Sequence, residues 1–225
     1  MTRVLQVFAR APVPGRAKTR LAPVLGDDGA ARLHARLALR LLDTVFDALA
    51  RLRHPRVELW CEPDATHPFF DACARRHPLH LRVQLGDDLG QRMHHALDDA
   101  LKRAERPVLV GTDCPSITAE ALAAAFEAID PAPGSASAPA AASDLVLLPT
   151  EDGGYALVGA SRIDRSLFDA MPWSTDAVYA QTCVRVDRLG WKLHALPTGW
   201  DVDRPEDIER LRATAPALFH PLEVR

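Results

Sequence analysis

The sequence has few cysteines, and their positions predict neither a metal centre nor a disulfide framework. Cys61, Cys73, Cys114 and Cys183 are scattered along 225 residues. A zinc site needs close Cys/His pairs such as C-x₂-C, which this sequence does not contain. Disulfides are not expected in a chain of this length without a secretory signal. We therefore expect reduced thiols and a cytoplasmic location.

The sequence also lacks long apolar runs and an excess of positive charge. No run approaches the roughly 20 apolar residues of a membrane span, and no signal-peptide core follows Met1-Thr2-Arg3. The formal net charge of −3 argues against a general nucleic-acid binder. We expect small-molecule partners, no nucleic acid and no membrane span. The sequence leaves the oligomeric state open.

Short apolar runs alternate with longer helical patterns. The predicted strands are 4–9, 56–61, 80–84, 107–112, 144–149, 155–160 and 192–196, and the predicted helices are 28–52, 68–76, 89–104, 118–129, 165–171, 175–189 and 205–212. This alternation predicts one α/β domain over residues 1–225, with a mixed, mostly parallel sheet and helices on both faces. Because strands 144–149 and 155–160 follow each other closely, one of them should be antiparallel. Segment 131–143 is predicted to be a flexible loop.

A cationic loop follows the first predicted strand. It carries Arg10, Gly15, Arg16, Lys18 and Arg20. Glycine lets the backbone approach an anion, and Arg and Lys donate charge-assisted hydrogen bonds to phosphate oxygens. Ligands of open α/β sheets collect at the carboxyl ends of strands. The loop is therefore either a binding site for the phosphates of a nucleotide or a solvated basic loop.

Acidic residues stand at two further junctions. Asp113 follows the most apolar predicted strand, so it either binds Mg²⁺ or Mn²⁺ at the substrate rim or caps the next turn. Asp201 and Asp203 precede a predicted helix, where Asp203 is a good N-cap. Alternation directs both side chains the same way, so one could cap while its neighbour binds a metal ion.

Two glycine pairs mark further loops. Gly153 and Gly154 connect two predicted strands, and Gly86 and Gly90 lie at a strand-to-helix junction. Each pair is consistent with turn geometry or with close approach of the backbone to a ligand. Trp173 is either a core residue or a platform on which a ligand stacks.

Taken together, these segments resemble the nucleotide-diphospho-sugar transferase superfamily, which has the GT-A fold. They resemble more closely a bacterial glycosyltransferase-like family associated with radical-SAM, selenodomain or arsenosugar gene contexts. The resemblance is carried by FARAPVPGRAKTRLAP (8–23), DLGQRM (88–93), GTDCP (111–115), DGGY (152–155), PWSTD (172–176) and DVDRPED (201–207). The superfamily's nucleotidyltransferases usually open with a longer G-x-G-T-R-like loop, of which only Gly15 remains here.

The resemblance implies a Rossmann-like GT-A domain and a transferase that depends on Mg²⁺ or Mn²⁺. Its partners would be a nucleotide or nucleotide-sugar donor and a small-molecule acceptor. The implied donor-binding residues are Arg10, Gly15, Arg16, Lys18, Arg20, Gly86, Gly90 and Arg92. The implied acceptor-binding residues are Gly153, Gly154, Tyr155 and Trp173. The implied metal ligands are Asp113, Asp201 and Asp203, and the implied catalytic residues are Lys18 and Asp113.

Three functions are compatible with these features. The first is a metal-dependent glycosyltransferase that uses a nucleotide-activated sugar. The second is a nucleotidyltransferase that transfers NMP from an NTP to a phosphorylated small molecule and releases pyrophosphate. The third is a non-catalytic nucleotide-binding module, which the acidic residues at 113, 201 and 203 disfavour. A fold alone does not select the reaction.

Overall fold

A seven-stranded sheet forms the centre of the molecule. The structure, a computed structural model, describes residues 2–103, 105–131 and 142–219, so most of the predicted loop 131–143 lies outside the described residues. The strands are β1 (Thr2–Arg10), β2 (Arg56–Glu62), β3 (His80–Val83), β4 (Glu105–Gly111), β5 (Leu145–Pro149), β6 (Tyr155–Ala160) and β7 (Leu193–Ala195). Their order across the sheet is β3-β2-β1-β4-β6-β5-β7.

The sheet is mixed and mostly parallel. β1 pairs in parallel with β2 and β4, β2 with β3, and β5 with β7. β6 is antiparallel to both of its neighbours, β4 and β5. A short connection can join only antiparallel neighbours, which explains why the two closely spaced predicted strands pair in this way. The predicted fold class is therefore confirmed.

The described residues include six α-helices, of which the first five cover the two faces of the sheet and the sixth packs against the first. They are α1 (Ala22–Asp47), α2 (Pro68–Arg76), α3 (Leu89–Lys102), α4 (Ala119–Ile129), α5 (Val178–Arg188) and α6 (Asp207–Thr214). Successive side chains of a strand point to opposite faces. Accordingly, Leu5 and Val7 of β1 pack with α1, α2 and α4, whereas Phe8 packs with α3 and α5. Within the described residues, no helix is both long and apolar enough to cross a membrane.

The first helix departs from its predicted bounds at both ends. The sequence predicted a helix over 28–52, whereas α1 spans Ala22–Asp47 and is interrupted at Gly26, whose φ is 69° and ψ 165°. A left-handed φ is readily available to glycine and interrupts the regular helix at this position. The residues after Asp47 form turns, with positive φ at Arg53 and His54.

The helix predicted over 165–171 is wrong for most of its length. A 3₁₀ turn covers only Arg165–Leu167, and Ala170 has a φ of 51°. The Arg185 guanidinium donates hydrogen bonds to backbone carbonyls in this segment, including that of Asp169 at 2.7 Å. These carbonyls would otherwise accept the bonds of a continuing helix, so the tertiary contact replaces the helix.

The order of the strands reverses between β1 and β4. From β1 the chain builds outward through β2 to β3, and then returns to place β4 on the other side of β1. Open α/β sheets bind ligands outside the carboxyl ends of their strands at such a reversal. Arg10 ends β1, and Asp113 stands two residues beyond the end of β4. The topology therefore brings both residues to the expected binding edge.

Gly153 is predicted to tolerate no side chain. Its φ is +86°, and an added Cβ would overlap the backbone of Asp176. Gly153→Ala should lower the free energy of unfolding by at least about 2 kcal/mol, because it combines backbone strain with overlap against atoms that cannot rotate away. Urea unfolding measures this change.

Gly190→Ala is the matched control. Gly190 has a similar positive φ of +65° but open space around the added Cβ. Gly190→Ala should lower the free energy of unfolding by only about 1 kcal/mol, because it introduces backbone strain without steric overlap. Equal losses in the two variants would show that the contact with Asp176 contributes nothing.

Candidate functional site

A cavity of about 610 Å³ opens at the carboxyl ends of the parallel strands. Its wall includes Arg10 at the end of β1, Glu62 at the end of β2 and Asp113 beyond β4. The start of β6 and the loop before it add Asp152 and Tyr155. The cavity is large enough for a small-molecule ligand.

Lys18 and Asp113 form an ion pair beside this cavity, in which Lys18 is buried and Asp113 is half-buried. Lys18 Nζ lies 2.9 Å from Asp113 Oδ2, and the Lys18 side chain is only 4% exposed. The same ammonium donates a hydrogen bond to the carbonyl oxygen of Val202. Lys18 adopts a left-handed φ of 51°. Such strain at a non-glycine residue persists where the surroundings hold it, as these two contacts do.

His34 of α1 also reaches Asp113. Its Nδ1 lies 3.4 Å from Asp113 Oδ1, and its Nε2 lies 3.0 Å from the carbonyl oxygen of Arg10. His34 is buried and lines the cavity. Neither His34 Nδ1 nor Asp113 Oδ1, both buried atoms, has a hydrogen-bond partner within the described residues. One imidazole nitrogen and one carboxylate oxygen, neither with a hydrogen-bond partner in the described part of the chain, therefore face each other at the cavity wall.

Asp113 is held in its ionised form. Burial alone would raise the pKa of its carboxyl, but the positive charge of Lys18 and the proximity of His34 outweigh burial and lower the pKa below its ordinary value. Asp113 is therefore a carboxylate throughout the neutral pH range. An ionised carboxylate with one unpaired oxygen suits a hard cation.

Asp201 has the opposite environment. Burial, reinforced by the negative charge of Asp152, raises the pKa of Asp201 to about 6. Asp152 is fixed through its Oδ1, which accepts hydrogen bonds from Thr150 Oγ1 at 2.6 Å and from the amide of Gly154 at 3.0 Å. Both carboxyl groups line the cavity. The cavity thus holds one strongly acidic carboxyl and one weakly acidic carboxyl.

The three predicted metal ligands do not converge. In the part of the chain that the structure describes, no three His, Cys, Asp or Glu side chains are grouped to hold a metal ion. Asp203 instead pairs with Arg20, away from the residues that line the cavity. Asp113 Oδ1 and His34 Nδ1 nevertheless have the chemistry of metal ligands, because each is buried, orphaned and able to donate a lone pair. A divalent ion here would take its other ligands from the bound donor or from water.

Asp203 is also not the cap of the last helix. α6 begins at Asp207, whose Oδ2 accepts hydrogen bonds from the amides of Asp203 at 2.9 Å and Arg204 at 2.7 Å. Asp207 therefore satisfies the backbone donors in this turn. The predicted start of the helix at residue 205 is two residues early for the same reason.

The predicted cationic loop is divided among several environments. Lys18 is buried against Asp113, Arg20 pairs with Asp203, and Arg16 is exposed. Arg16 and Arg20 are absent from the described residues that line the cavity. Gly15 has the positive φ of 72° that the tight loop requires. The loop therefore shapes one wall but directs only part of its charge toward the cavity.

Arg10 and Arg92 are the arginines of the cavity wall within the described residues. Both interact with Glu62: Arg10 Nε lies 2.6 Å from Oε2, and Arg92 Nη1 lies 3.6 Å from Oε1. Arg92 Nε also donates to the carbonyl of Gly86 at 3.0 Å. This cluster holds two positive charges on one side of the cavity. Gly86, implied by the resemblance to bind the donor, contacts Arg92 but is not among the described residues that line the cavity.

Gly90 of α3 is in contact with Trp173, although Gly90 is not among the described residues that line the cavity. An added Cβ at Gly90 would lie 2.7 Å from Trp173 Cζ2, so a larger residue would displace the indole. Trp173 lines the cavity and also stacks with Phe168, with ring centroids 6.5 Å apart. The buried Nε1 of Trp173 has no hydrogen-bond partner in the described part of the chain. Trp173 therefore combines core packing with a face toward the cavity.

Gly153, Gly154 and Tyr155 belong to the turn that carries Asp152. The carbonyl of Gly153 accepts a hydrogen bond from the amide of Tyr179 at 2.8 Å, which anchors the turn to α5. Gly154 and Tyr155 line the cavity. Burial raises the pKa of the Tyr155 hydroxyl, which therefore stays protonated at neutral pH.

His34, Glu62 and Asp152 were not among the residues predicted from the sequence. His34 lies within a helix pattern, where a histidine carries no specific signal. Glu62 ends a strand, and its position at the sheet edge could have indicated it. Asp152 stands inside the recognised D-G-G-Y segment, and its place beside two glycines was the available signal.

Asp113 and Asp201 should affect stability with opposite dependence on pH. Asp113 has a lowered pKa, so its stabilisation is present above about pH 4 and is lost as the pH falls through the folded-state pKa. Asp113→Asn should therefore lower the urea midpoint most at neutral pH, where Lys18 loses its counter-charge. The difference from wild type should shrink below pH 4.

Asp201 has a raised pKa, so ionising it in the folded state costs stability as the pH rises from about 4 through about 6. Asp201→Asn should leave stability at pH 4 unchanged and raise it at pH 7 by about 1 kcal/mol, allowing for the partial exposure of the group. Urea unfolding from pH 4 to pH 8 measures both variants. Parallel curves for Asp201→Asn and wild type would contradict the raised pKa.

Comparison with known proteins identifies the family. The profile of DUF2064, described as an uncharacterized protein conserved in bacteria, matches residues 44–175. That match includes β2, β3 and β4, Asp113, and the turn at Asp152. No curated protein matches the sequence significantly.

Solved structures share the fold. A proposed nucleotide-diphospho-sugar transferase from Desulfovibrio desulfuricans G20 is 29% identical, with a TM-score of 0.79 over 96% of this chain and 90% of that one. CMP:2-keto-3-deoxy-manno-octonic acid synthetase complexed with CTP is 12% identical, with a TM-score of 0.55 over 96% and 99% of the two chains. Rv0371c from Mycobacterium tuberculosis H37Rv complexed with manganese is 16% identical, with a TM-score of 0.51 over 95% and 100%. The chain thus has a fold shared with transferases, and it belongs to the DUF2064 family of bacterial proteins.

Proposed function

We propose that this protein is a metal-dependent transferase that moves a sugar from a nucleotide-activated donor to a hydroxyl group of a small-molecule acceptor. The observation that carries the proposal is the pair of unlike carboxyl groups in one cavity. Asp113 is kept ionised by Lys18, and Asp201 is kept weakly acidic by burial and Asp152. Carboxyl groups whose pKa values are pushed apart can take different chemical roles.

The donor's diphosphate is placed at the Arg10–Arg92 side of the cavity. These two arginines reach the wall from the end of β1 and from α3. Glu62 holds both in position, since its carboxylate contacts each guanidinium. Guanidinium groups bind phosphate oxygens through charge-assisted hydrogen bonds. A bound divalent ion would supply further stabilisation of the charge on the departing diphosphate.

The acceptor is placed at the Asp152–Asp201 side. Among the described residues that line the cavity, the arginines are Arg10 and Arg92, and no lysine is present. Asp152 raises the pKa of Asp201 more than Lys18 lowers it, so the negative charge of the two carboxyl groups outweighs the nearby ammonium and repels a phosphorylated acceptor. This charge distribution favours transfer to a hydroxyl group over transfer of NMP to a phosphate.

Asp201 is suited to take the proton of the attacking hydroxyl. As the hydroxyl oxygen bonds to the anomeric carbon, the bond from that carbon to the diphosphate oxygen breaks and the proton passes to the carboxylate. A carboxylate with a pKa of about 6 is a better proton acceptor than an ordinary one. In this proposal Asp113 serves the donor side, and Asp201 serves the acceptor instead of the metal.

Arg92→Gln tests the position of the diphosphate. It should weaken binding of nucleoside diphosphates by about ten-fold, the loss expected for charged hydrogen bonds, and leave nucleoside binding unchanged. Titration calorimetry with Mn²⁺ present measures both affinities. The matched control is Arg51→Gln, an exposed arginine paired with Glu120 outside the cavity. An equal loss for nucleosides and diphosphates would contradict the placement.

The reaction itself is tested by its products. We expect a nucleotide-sugar with Mn²⁺ and a pool of polyol acceptors to yield nucleoside diphosphate, seen by ³¹P nuclear magnetic resonance. Asp201→Asn should slow this release strongly while donor affinity stays near that of wild type. Pyrophosphate released from an NTP would instead identify a nucleotidyltransferase. No turnover and no nucleotide binding would favour a non-catalytic protein.

A further inference from the structure

His34 is the buried histidine of the cavity wall. We propose that His34 Nδ1 and Asp113 Oδ1 together bind one transition metal ion, and that the imidazole makes this site prefer Mn²⁺ to Mg²⁺. The inference rests on the proposed function, because it identifies the ligands and the kind of metal that the donor side uses.

The hydrogen bond at Nε2 fixes the state of the imidazole. His34 Nε2 lies 3.0 Å from the carbonyl oxygen of Arg10. A carbonyl oxygen only accepts, so Nε2 carries a hydrogen, and in this tautomer the lone pair of the imidazole is at Nδ1. Histidines that bind metal ions commonly donate their other N–H to a backbone carbonyl or a carboxylate in this way. The contact with Arg10 therefore prepares Nδ1 as a ligand.

The position of Nδ1 relative to Asp113 suits one shared ion. The two atoms are 3.4 Å apart, and the His34 side chain is only 6% exposed. Neighbouring ligands at right angles around an ion, each about 2.1 Å from it, lie roughly 3 Å apart. Two facing lone pairs at this separation repel each other unless a cation lies between them. His34 Nδ1 and Asp113 Oδ1 are therefore at a suitable distance to share one cation, and a cation between them would remove their repulsion.

A proton on Nδ1 is the competing occupant of this space. It would convert His34 and Asp113 into an ion pair. The two atoms are close enough for this contact, and the proximity of His34 is one of the causes that lower the pKa of Asp113. Their alignment is poor for a hydrogen bond, however, so both buried atoms lack a well-aligned partner within the described residues. A metal ion can lie off the line between the two atoms, so it fits this geometry better than a shared proton does.

Lys18 determines how the site would be completed. Its ammonium occupies Asp113 Oδ2 and leaves Oδ1 for the metal. The same positive charge weakens the attraction for a divalent ion, so two protein ligands alone should bind it poorly. The phosphate oxygens of the donor can supply the missing negative ligands. We therefore expect the metal and the nucleoside diphosphate to strengthen each other's binding.

The imidazole decides which metal is preferred. Mg²⁺ favours oxygen ligands and keeps several waters, whereas imidazole nitrogen suits transition metals. A site formed by one nitrogen, one carboxylate oxygen and phosphate oxygens should bind Mn²⁺ at least about ten-fold more tightly than Mg²⁺. Removing the nitrogen should reduce this preference toward that of an all-oxygen site.

The test measures Mn²⁺ binding to the full chain by electron paramagnetic resonance. The measurement is made without nucleotide and then with each of UDP, GDP, ADP and CDP. Pulsed measurements on bound Mn²⁺ should show hyperfine coupling to a histidine ¹⁴N nucleus, and competition with Mg²⁺ gives the preference. His34→Gln keeps an amide donor near the Arg10 carbonyl but lacks Nδ1, so the coupling should disappear. His94→Gln, a histidine outside the cavity lining, is the matched control and should retain it.

The outcomes separate this inference from the proposed function. If Mn²⁺ binds without nitrogen coupling, or if the coupling persists in His34→Gln, His34 is not a metal ligand. Either result is still compatible with the proposed metal-dependent transferase. No Mn²⁺ binding with any diphosphate overturns both. If His34→Gln does not fold, wild-type protein labelled with ¹⁵N-histidine decides, since His34 is the histidine of the cavity wall among the described residues. A nitrogen coupling that changes with the label supports the site, whereas the absence of any histidine coupling refutes it.

Discussion

The ion pair between the buried Lys18 and the half-buried Asp113 is the contact on which the arrangement of the site depends. A charged side chain inside a protein costs several kcal/mol unless it is paired and hydrogen-bonded. Lys18 meets this requirement through Asp113 and the carbonyl of Val202, which lies 184 residues away in sequence. One ammonium therefore ties the loop after β1 to the end of β4 and to the C-terminal segment, and it fixes the wall of the cavity.

The ion pair also makes the acidity of Asp113 different from that of Asp201 in the same cavity. Lys18 satisfies one oxygen of Asp113 and holds the carboxyl ionised, while the other oxygen faces His34. Farther along the wall, Asp201 is partly buried and lies near Asp152, and these surroundings raise its pKa. Two aspartates of the same intrinsic acidity thus acquire different properties from their surroundings. This difference supports separate donor and acceptor sides in one cavity.

The reversal of strand order explains why these groups meet. β1 and β4 are neighbours although the chain builds β2 and β3 between them. Their carboxyl ends open on the same edge, where α1 passes close enough for His34 to contact both Arg10 and Asp113. The antiparallel β6 then begins at this edge, so the turn before it adds Asp152. The site is therefore assembled from segments that are distant in sequence.

The sequence by itself determined the strands, most helices and the acidic and glycine-containing junctions, because periodicity and turn residues are local signals. Asp113, predicted from its position after a strand, and Arg92, implied by the resemblance, both line the cavity. Only the tertiary structure decided that Arg20 pairs with Asp203, that Arg185 replaces the helix predicted near residue 169, and that His34 faces the cavity. Each of these outcomes depends on which partner packs nearby, and Arg20 and Asp203 are 183 residues apart. Local patterns specify residue types and elements, whereas the pairing of charges is specified by the folded arrangement that brings them together.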